Sequence, residues 1–270
     1  MCAAPVRMYA RPMPWSPAQY ERFKRERSAP FDDLLALVRV RPDLRVIDLG
    51  CGTGELTRRL ADLLPGSDVA GIDASSEMLA RSASFARPGL RFEIRRIEDV
   101  EGSWDLVVSN AALHWVADHR ALVPRLLSLL APGGQIVVQM PSNFAHATHV
   151  ILEEVANESP FREAFGALGP AWTREVPVLP IEAYAELLSR HGAKDVAVLE
   201  RVYLHELPDA DALAEWMRGT ALLRYLEPLT DEAIKTRFVE RYCERLRQRF
   251  PERPVLFTFR RTFFTARADG

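Results

Sequence analysis

The sequence predicts an α/β fold in which helices cover both faces of an open, mainly parallel β-sheet. Short apolar runs alternate with amphipathic segments between residues 44 and 141, as expected for right-handed strand–helix–strand units. Most of these runs are continuously apolar, which is typical of strands buried on both faces. The 270 residues are 48% hydrophobic, so the chain is able to bury a large core.

The first half of the chain supplies five predicted strands. Ser16 is the predicted N-cap of a helix that closes at Pro30, and a second helix covers residues 31–40. Ser75 is the predicted cap of a later helix. The strands are RVIDLG (45–50), DVAGIDA (68–74), LRFEIRRIED (90–99), WDLVVSN (104–110) and QIVVQMP (135–141), and the helices between them are ELTRRLADLL (55–64), SSEMLARSASFA (75–86) and HRALVPRLLSLL (119–130).

The second half of the chain continues the pattern with an interruption. Helical periodicity covers residues 147–156 and 181–193, and two long apolar runs, at 195–207 and 255–267, predict the last two strands. About forty residues of helical character, from Asp209 to Arg249, separate these strands. We therefore expect a helical insertion between the last two strands of the sheet.

Composition and charge exclude several classes of protein. A net charge of −2 argues against general nucleic-acid binding. The chain has no run of eighteen apolar residues, and its first residues lack the apolar core of a signal peptide. Three widely spaced cysteines predict neither a disulfide framework nor a metal site. We expect a cytoplasmic protein with no membrane partner and no metal; the oligomeric state stays open, with a monomer favoured.

A glycine-rich loop follows the first predicted strand. Gly50, Gly52 and Gly54 lack side chains, so a ligand can approach the backbone closely at the carboxyl end of the sheet. A dinucleotide-binding loop needs its third glycine at position 55, which is Glu55 here. A P-loop needs Gly-Lys-Ser/Thr, and the chain has none.

Two carboxylates narrow the choice of ligand. Asp48 in the loop would repel a pyrophosphate and suits an ammonium group. Asp73 ends the second strand, where it can accept hydrogen bonds from both hydroxyls of a ribose. An ammonium group and a ribose without phosphate describe S-adenosylmethionine. The alternative is a tight strand–helix turn that carries an acidic residue by chance.

These residues carry a resemblance to a known family. VIDLGCGTG followed by GIDAS resembles the class I S-adenosylmethionine-dependent methyltransferases over roughly residues 44–140. The resemblance implies a doubly wound, Rossmann-like sheet of seven strands with the last one antiparallel, a methionine-binding glycine loop, Asp73 on the ribose and Met78 on the adenine. The predicted cofactor residues are Asp48, Gly50, Cys51, Gly52, Gly54, Asp73, Ala74, Met78, Ile97, Glu98 and Asn110.

One position departs from that family. Its members often end the third strand with an aspartate that accepts from the adenine amino group, whereas this chain has Arg96 there. Arginine cannot accept a hydrogen bond. Either Glu98 or Asp99 takes over this contact, or the contact is missing.

A second resemblance covers nearly the whole chain. SNAALHWVADH, VVQMPSNFAHATHVILEEVA, EWMRGTALLRYLEPL and VLFTFRRTFFTAR resemble the trans-aconitate 2-methyltransferase family, and so does WSPAQYERFKRERSAP. This implies carboxyl methylation of a small polycarboxylic acid. Leu223 stands where that family typically has an arginine, with Arg224 one position later, and Arg260 is an additional charge. These departures leave open a preference for a different acid.

Residues near the carboxyl end of the sheet are candidates for binding this acid. Trp115 is able to wall the sulfonium centre, and His114 acts only if a base is needed, since a carboxylate is already ionised at neutral pH. The alternatives for the set are core packing, helix capping and surface ion pairs. The predicted substrate residues are Tyr20, Trp115, Asn143, His146, Arg241, Tyr242 and Arg261.

The predicted function is a single-domain methyltransferase (residues 1–270) that acts on a carboxylate, with trans-aconitate as the first candidate. Segments at about 10–40, 142–180 and 209–252 are predicted to form a lid over the site. One alternative is a methyltransferase for another acid, a carrier-bound acid or a secondary metabolite. Another is a regulator that binds S-adenosylmethionine without catalysis.

Overall fold

A computed structural model of the chain describes residues 24–166 and 178–270, with side chains from residue 29 onward. One sheet of seven strands runs through the described part, in the order β3-β2-β1-β4-β5-β7-β6. The strands are β1 (Arg45–Leu49), β2 (Asp68–Asp73), β3 (Leu90–Ile94), β4 (Trp104–Asn110), β5 (Leu130–Pro141), β6 (Lys194–Leu207) and β7 (Val255–Arg267).

Strands β1 to β5 are paired in parallel, and β7 is antiparallel to both β5 and β6. The predicted doubly wound sheet with an antiparallel last strand is therefore confirmed. Parallel strands end at the same edge of a sheet, so the residues after β1, β2, β4 and β5 meet there. Because β7 runs the other way, its Arg261 pairs with Pro141 at the end of β5 and reaches this same edge.

Helices follow the strands where the apolar spacing predicts them. Ser75 caps its helix by accepting a hydrogen bond from the Met78 N–H, as predicted. The helices are α1 (Lys24–Ala36), α2 (Glu55–Leu63), α3 (Ser76–Ser82), α4 (His119–Ser128), α5 (Ala147–Ala156), α6 (Phe161–Phe165), α7 (Ile181–Arg190), α8 (Ala210–Arg218), α9 (Ala221–Leu226) and α10 (Glu232–Arg249).

Several predicted boundaries are wrong; β5, for example, begins at Leu130 rather than at Gln135. Helix α1 continues through Pro30, where the sequence predicts a break. A proline removes one backbone donor, and burial of Pro30 and Phe31 against the core holds the helix together across it. Strand β3 stops at Ile94 rather than at Asp99, because residues 97–99 form a short 3₁₀ turn.

Apolar side chains cover both faces of the sheet. Val46 and Phe263 lie in a buried cluster with α1 and α2, whereas their neighbours Ile47 and Phe264 lie in a second cluster with α4 and α7. Adjacent residues of a strand point to opposite faces, so the continuous apolar runs are explained by helices on each side.

A third buried cluster belongs to the helical insertion. Helices α8, α9 and α10 lie between the end of β6 at Leu207 and the start of β7 at Val255, which confirms the predicted insertion. Their apolar faces pack with α5 and α6 around the completely buried Phe238, Tyr242 and Phe257. Within residues 24–166 and 178–270, no helix combines the length and apolarity needed to cross a bilayer.

Candidate active site

The glycine loop between β1 and α2 is held close to its neighbours. Gly50 has φ of 77°, and a Cβ there would stand 2.2 Å from the Cβ of Ala112, so only glycine fits. Gly52 also has positive φ, 57°, but a Cβ there would meet only the Met78 Cε, at 3.2 Å. Gly50 therefore serves packing, whereas Gly52 leaves its backbone open beside Met78, as a cofactor in close contact with the loop requires.

Asp73 is fixed at the end of β2 by two backbone donors. Its Oδ2 accepts from the Gly52 N–H at 2.9 Å, and its Oδ1 accepts from the Ser75 N–H at 2.8 Å. Each carboxylate oxygen retains a further lone pair. The half-buried carboxylate is thus oriented to accept from two adjacent hydroxyls, as the prediction of a ribose contact requires.

Asp48 is more deeply placed than the sequence suggests. It is 4% exposed, and its Oδ2 accepts a hydrogen bond from the Thr57 hydroxyl at 2.6 Å. Burial raises the pKa of Asp48 to about 6; the Thr57 hydrogen bond opposes this shift and the charge of Asp73 adds to it. The structure gives Asp48 a partner in α2, and a nearby cation would favour its ionised form.

Three further predicted cofactor residues surround this loop. Gly54 is the N-cap of α2, and Cys51 is buried, which raises the pKa of its thiol and keeps it neutral. Ile97 is 9% exposed, and its Cδ1 lies 3.8 Å from the position of a Cβ on Gly50. These residues form an apolar surface beside the loop.

The adenine side differs from the prediction in one respect. Arg96 donates to Glu98 Oε1 at 2.6 Å, so one of the two candidate acceptors, Glu98, forms an exposed ion pair with the arginine that stands in place of the family's aspartate. Arg96 stands beyond the end of β3, in the approach to the 3₁₀ turn. Ala74 is exposed next to Asp73. The prediction that Glu98 accepts from the adenine therefore requires its carboxylate to serve Arg96 at the same time.

A chain of hydrogen bonds crosses the carboxyl end of the sheet from β4 to β7. Gln139 Nε2 donates to Asn110 Oδ1 at 2.6 Å, and Arg261 Nη1 donates to Gln139 Oε1 at 3.0 Å. All three side chains come from different strands, and Gln139 and Arg261 are 1% and 8% exposed. The chain joins a predicted cofactor residue, Asn110, to a predicted substrate residue, Arg261.

The turn after β4 presents His114 and Trp115 next to this chain. His119 holds the turn, because its Nε2 hydrogen-bonds to Leu113 O at 2.9 Å while its Nδ1 bonds to the Tyr184 hydroxyl. Among the described residues, the buried Nδ1 of His114 has no hydrogen-bond partner. Trp115 is 45% exposed at the rim.

Two arginines lie near this turn, one on helix α9 and one on strand β7. The guanidinium of Arg224 on α9 lies over the Trp115 ring, with 4.4 Å between Cζ and the ring centroid. The guanidinium of Arg261 on β7 lies over the Phe259 ring at 4.5 Å. Burial lowers the pKa of His114 well below its usual range, and the charges of Arg224 and Arg261 lower it further. His114 is therefore neutral beside two positive charges.

Helix α5 adds a second neutral histidine near Arg224. Burial lowers the pKa of His149 to about 3, and the charges of His146 and Arg224 contribute to the shift. Its Nδ1 lies 3.2 Å from the Thr148 hydroxyl, and its ring meets Phe144 edge to face. The Arg224 charge is thus flanked by neutral, acceptor-capable imidazoles.

Arg241 and Tyr242 on the helical insertion have partners elsewhere in the protein as well as within the insertion. The Arg241 guanidinium binds Glu158 at 2.6 Å and Glu244 at 2.7 Å. Tyr242 is completely buried, and its hydroxyl donates to Thr148 O at 3.2 Å. Tyr242 thus joins α10 to α5, and Arg241 joins α10 to Glu158 in the segment that follows α5. The roles of both residues in substrate binding stay predictions.

Asn143 and His146 hold the segment after β5. Asn143 Oδ1 accepts from the Arg260 N–H at 3.1 Å, while its buried Nδ2 has no partner within the described residues. His146 is the N-cap of α5 and accepts from the Thr148 N–H at 3.3 Å. The capping alternative thus describes His146, and Asn143 retains a free donor. Tyr20 lies outside the residues that the structure describes.

Sequence reasoning misses Gln139 and undervalues Arg224. Gln139 interrupts the apolar run of β5, and a buried polar residue in such a strand signals a specific partner. Arg224 lies one position after the place where the family typically has its arginine, and α9 carries its guanidinium over the Trp115 ring. Arg260, by contrast, is exposed and binds Glu200 at 2.8 Å.

Comparisons with known proteins identify the family. A family model described as a methyltransferase domain matches residues 41–177. The trans-aconitate 2-methyltransferase of Deinococcus radiodurans is 46% identical over 94% of this chain and 98% of its own. That of Variovorax paradoxus is 38% identical over 93% of this chain and 97% of its own. The chain belongs to the trans-aconitate 2-methyltransferase family.

Solved structures agree on the fold. The YcgJ protein of Bacillus subtilis superimposes with a TM-score of 0.58, at 15% identity, over 90% of this chain and 99% of its own. Phosphoethanolamine N-methyltransferase 2 of Haemonchus contortus gives a TM-score of 0.57, at 16% identity, over 94% of this chain and 57% of its own. The predictions of a class I fold, of methyltransferase activity and of S-adenosylmethionine as cofactor are confirmed.

Proposed function

We propose that this methyltransferase transfers the methyl group to a carboxylate oxygen of a small polycarboxylic acid, with trans-aconitate as the first candidate. The observation that carries the proposal is the pair of arginines, Arg224 and Arg261, whose charges converge on His114. The relatives from Deinococcus and Variovorax are trans-aconitate 2-methyltransferases, which supports the same acid.

The chemistry of the two arginines suits a substrate with more than one carboxylate. A guanidinium donates two parallel hydrogen bonds to a carboxylate, and the ring beneath it restricts its orientation. Arg261 has Phe259 beneath it and Arg224 has Trp115. Two such guanidinium groups are able to hold two carboxylates of one acid. Either a third carboxylate of that acid or one of the two bound carboxylates then faces the methyl donor.

The cofactor would be held on the other side of Asn110. Asp73 would accept from the ribose hydroxyls, and the open backbone of Gly52 would lie against the methionine part. When bound, S-adenosylmethionine supplies an electrophilic methyl group. A carboxylate that receives it is already ionised, so the enzyme has no proton to remove. The residues of this chain then act by orienting the two reactants and excluding water.

The lid remains part of the proposal. Helices α8 to α10 carry Arg224 to the rim of the site, so the insertion supplies part of the acid site as well as cover. We propose that this insertion encloses the acid within a single domain, together with segments near residues 10–40 and 142–180, of which residues 10–23 and 167–177 lie outside the described part of the chain. We further propose that the protein works in the cytoplasm as a monomer, without nucleic acid or metal.

The experiment is a methyl-transfer screen over di- and tricarboxylic acids, read by mass spectrometry, followed by kinetics of three arginine variants. Arg261→Ala and Arg224→Ala should each lower kcat/KM by a factor that corresponds to a loss of about 2–4 kcal/mol in transition-state stabilisation. Each variant removes a charge that is paired with a desolvated carboxylate. Arg260→Ala is the matched control: its neighbouring, exposed guanidinium pairs with Glu200, so its effect should stay under about 1 kcal/mol.

A further variant separates charge from geometry. Arg261→Lys keeps the positive charge but loses the paired donors, so KM for the acid should rise while the affinity for S-adenosylhomocysteine is retained. Small effects from both Arg224→Ala and Arg261→Ala, equal to that of Arg260→Ala, would show that the substrate is not a polycarboxylate.

A further inference from the structure

We propose that Gln139 is a positioning residue that couples the cofactor side of the active site to the acid side. Its single amide group orients Asn110 on β4 and Arg261 on β7 at once. The acid side of this inference rests on the proposed function, whereas the cofactor side does not.

The geometry isolates Gln139 between these two residues. Its side chain is 1% exposed, at the centre of the sheet between β4 and β7. Asn110 is its direct partner in the β4–β5 register, and the Ala111 N–H donates to Gln139 O at 2.8 Å. Backbone pairing therefore fixes the position of the Gln139 Cα, and the two side-chain hydrogen bonds fix the position of its amide group.

The chemistry of the three groups permits one orientation. A guanidinium carries donors only, so Gln139 must turn its oxygen toward Arg261. The amino group of Gln139 then faces Asn110, and it donates to the Asn110 Oδ1 at 2.6 Å. Arg261 thereby determines, through Gln139, which end of the Asn110 amide is directed away from β5.

This order has a consequence for both ligands. With its oxygen bound to Gln139, Asn110 directs its amino group away from that contact, and this donor suits the carboxylate of the cofactor's amino-acid part. The same amide oxygen accepts from the Arg261 Nη1, so it restrains the direction in which this guanidinium faces the acid side of the site. A change at residue 139 should therefore disturb both ligands, although neither needs to touch it.

A second buried glutamine on the same strand provides a matched control. Gln135 is 6% exposed, and its amide bonds to Leu37 O at 2.8 Å and to the Thr265 hydroxyl at 2.9 Å. It lies four residues before Gln139 in the middle of β5, where it pairs with Leu106 of β4 rather than with Asn110. Gln135→Leu and Gln139→Leu each remove a buried amide from β5, and only the latter removes the connection between Asn110 and Arg261.

The experiment measures the affinity for S-adenosylhomocysteine by calorimetry, KM for the best acid and Tm. Gln139→Leu should weaken S-adenosylhomocysteine binding and raise KM, each by about threefold to tenfold, the range that the loss of one hydrogen bond gives. Gln139→Glu should raise KM further, because a carboxylate would neutralise Arg261 at unchanged volume. Gln135→Leu should lower Tm while leaving both ligand constants within about twofold.

A double-mutant cycle without any acid tests the connection itself. Arg261→Ala should weaken S-adenosylhomocysteine binding in the wild-type background but have no further effect in Gln139→Leu, because the path to Asn110 is already cut. Additive effects would overturn the proposal, as would a Gln139→Leu protein that changes one ligand constant alone or matches Gln135→Leu. If no acid is methylated by the wild type, the proposed function fails, and this cycle still decides the role of Gln139.

Discussion

The burial of Asp48 lowers the stability of the fold at neutral pH. An aspartate whose pKa is 3.8 when exposed and about 6 in the fold holds its proton more tightly when folded. Stability therefore falls as the pH rises from about 4 to 6, and the ionised carboxylate is a cost at neutral pH. A ligand with a positive charge near the end of β1 would offset this cost.

The first prediction follows from that shift. Asp48→Asn should raise the free energy of unfolding at pH 8 by up to about 3 kcal/mol, the equivalent of a shift of about two pKa units. The gain should disappear as the pH falls below about 4, where wild-type Asp48 is protonated. Urea unfolding at several pH values measures this, with Asp68→Asn, an exposed aspartate of β2, as the control. A gain that does not depend on pH would contradict the pKa assignment.

His114 carries the second prediction at this scale. The pKa of His114 lies well below the usual value, so this side chain is neutral throughout the physiological range. Its titration therefore does not change the activity there. His114→Gln should therefore keep the shape of the kcat profile between about pH 5.5 and 8.5, even where the overall rate falls through lost packing. An ascending limb that the variant loses would identify His114 as a base and would favour a hydroxyl or carbon nucleophile.

Elements of regular structure were predictable where apolar spacing and turn residues agree. The glycine loop, its flanking strands and the cap at Ser75 are indicated by patterns of adjacent residues in the sequence, and all are confirmed. The continuation of α1 through Pro30 depends on distant packing, which no local pattern carries. The same holds for Gln139 and Arg224, because their partners lie on strands and helices remote in sequence.

Helix α10 provides a prediction at the scale of elements. The Tyr242 hydroxyl joins α10 to α5 through Thr148 O and is completely buried. Tyr242→Phe should lower the free energy of unfolding by about 0.5–1.5 kcal/mol, the net value of one hydrogen bond, and leave KM for the acid unchanged. Denaturant unfolding and steady-state kinetics test both parts. A raised KM with unchanged stability would instead place Tyr242 in contact with the substrate.

In the molecule as a whole, the sheet and the helical insertion carry different parts of the predicted site. The predicted cofactor residues lie after β1, β2, β3 and β4, whereas Arg224 arrives on the helical insertion and Arg261 on the strand that follows it. The contact between these parts at the site is the stack of Arg224 on Trp115. Acid binding should therefore depend on how the insertion docks, and cofactor binding should depend on the sheet.

Trp115 tests this division, because the sequence also allows it to wall the sulfonium centre. If its ring serves Arg224, Trp115→Ala should raise KM for the acid by about threefold to tenfold, in keeping with the value of a cation–π contact. S-adenosylhomocysteine affinity should stay unchanged, and Trp115→Phe should restore part of KM because it keeps a ring face. Phe85→Ala, which removes the ring beneath Arg58 elsewhere on the surface, is the control. Calorimetry and steady-state kinetics separate the two roles: a loss of S-adenosylhomocysteine affinity as large as the rise in KM would assign Trp115 to the cofactor and leave Arg224 positioned by the insertion alone.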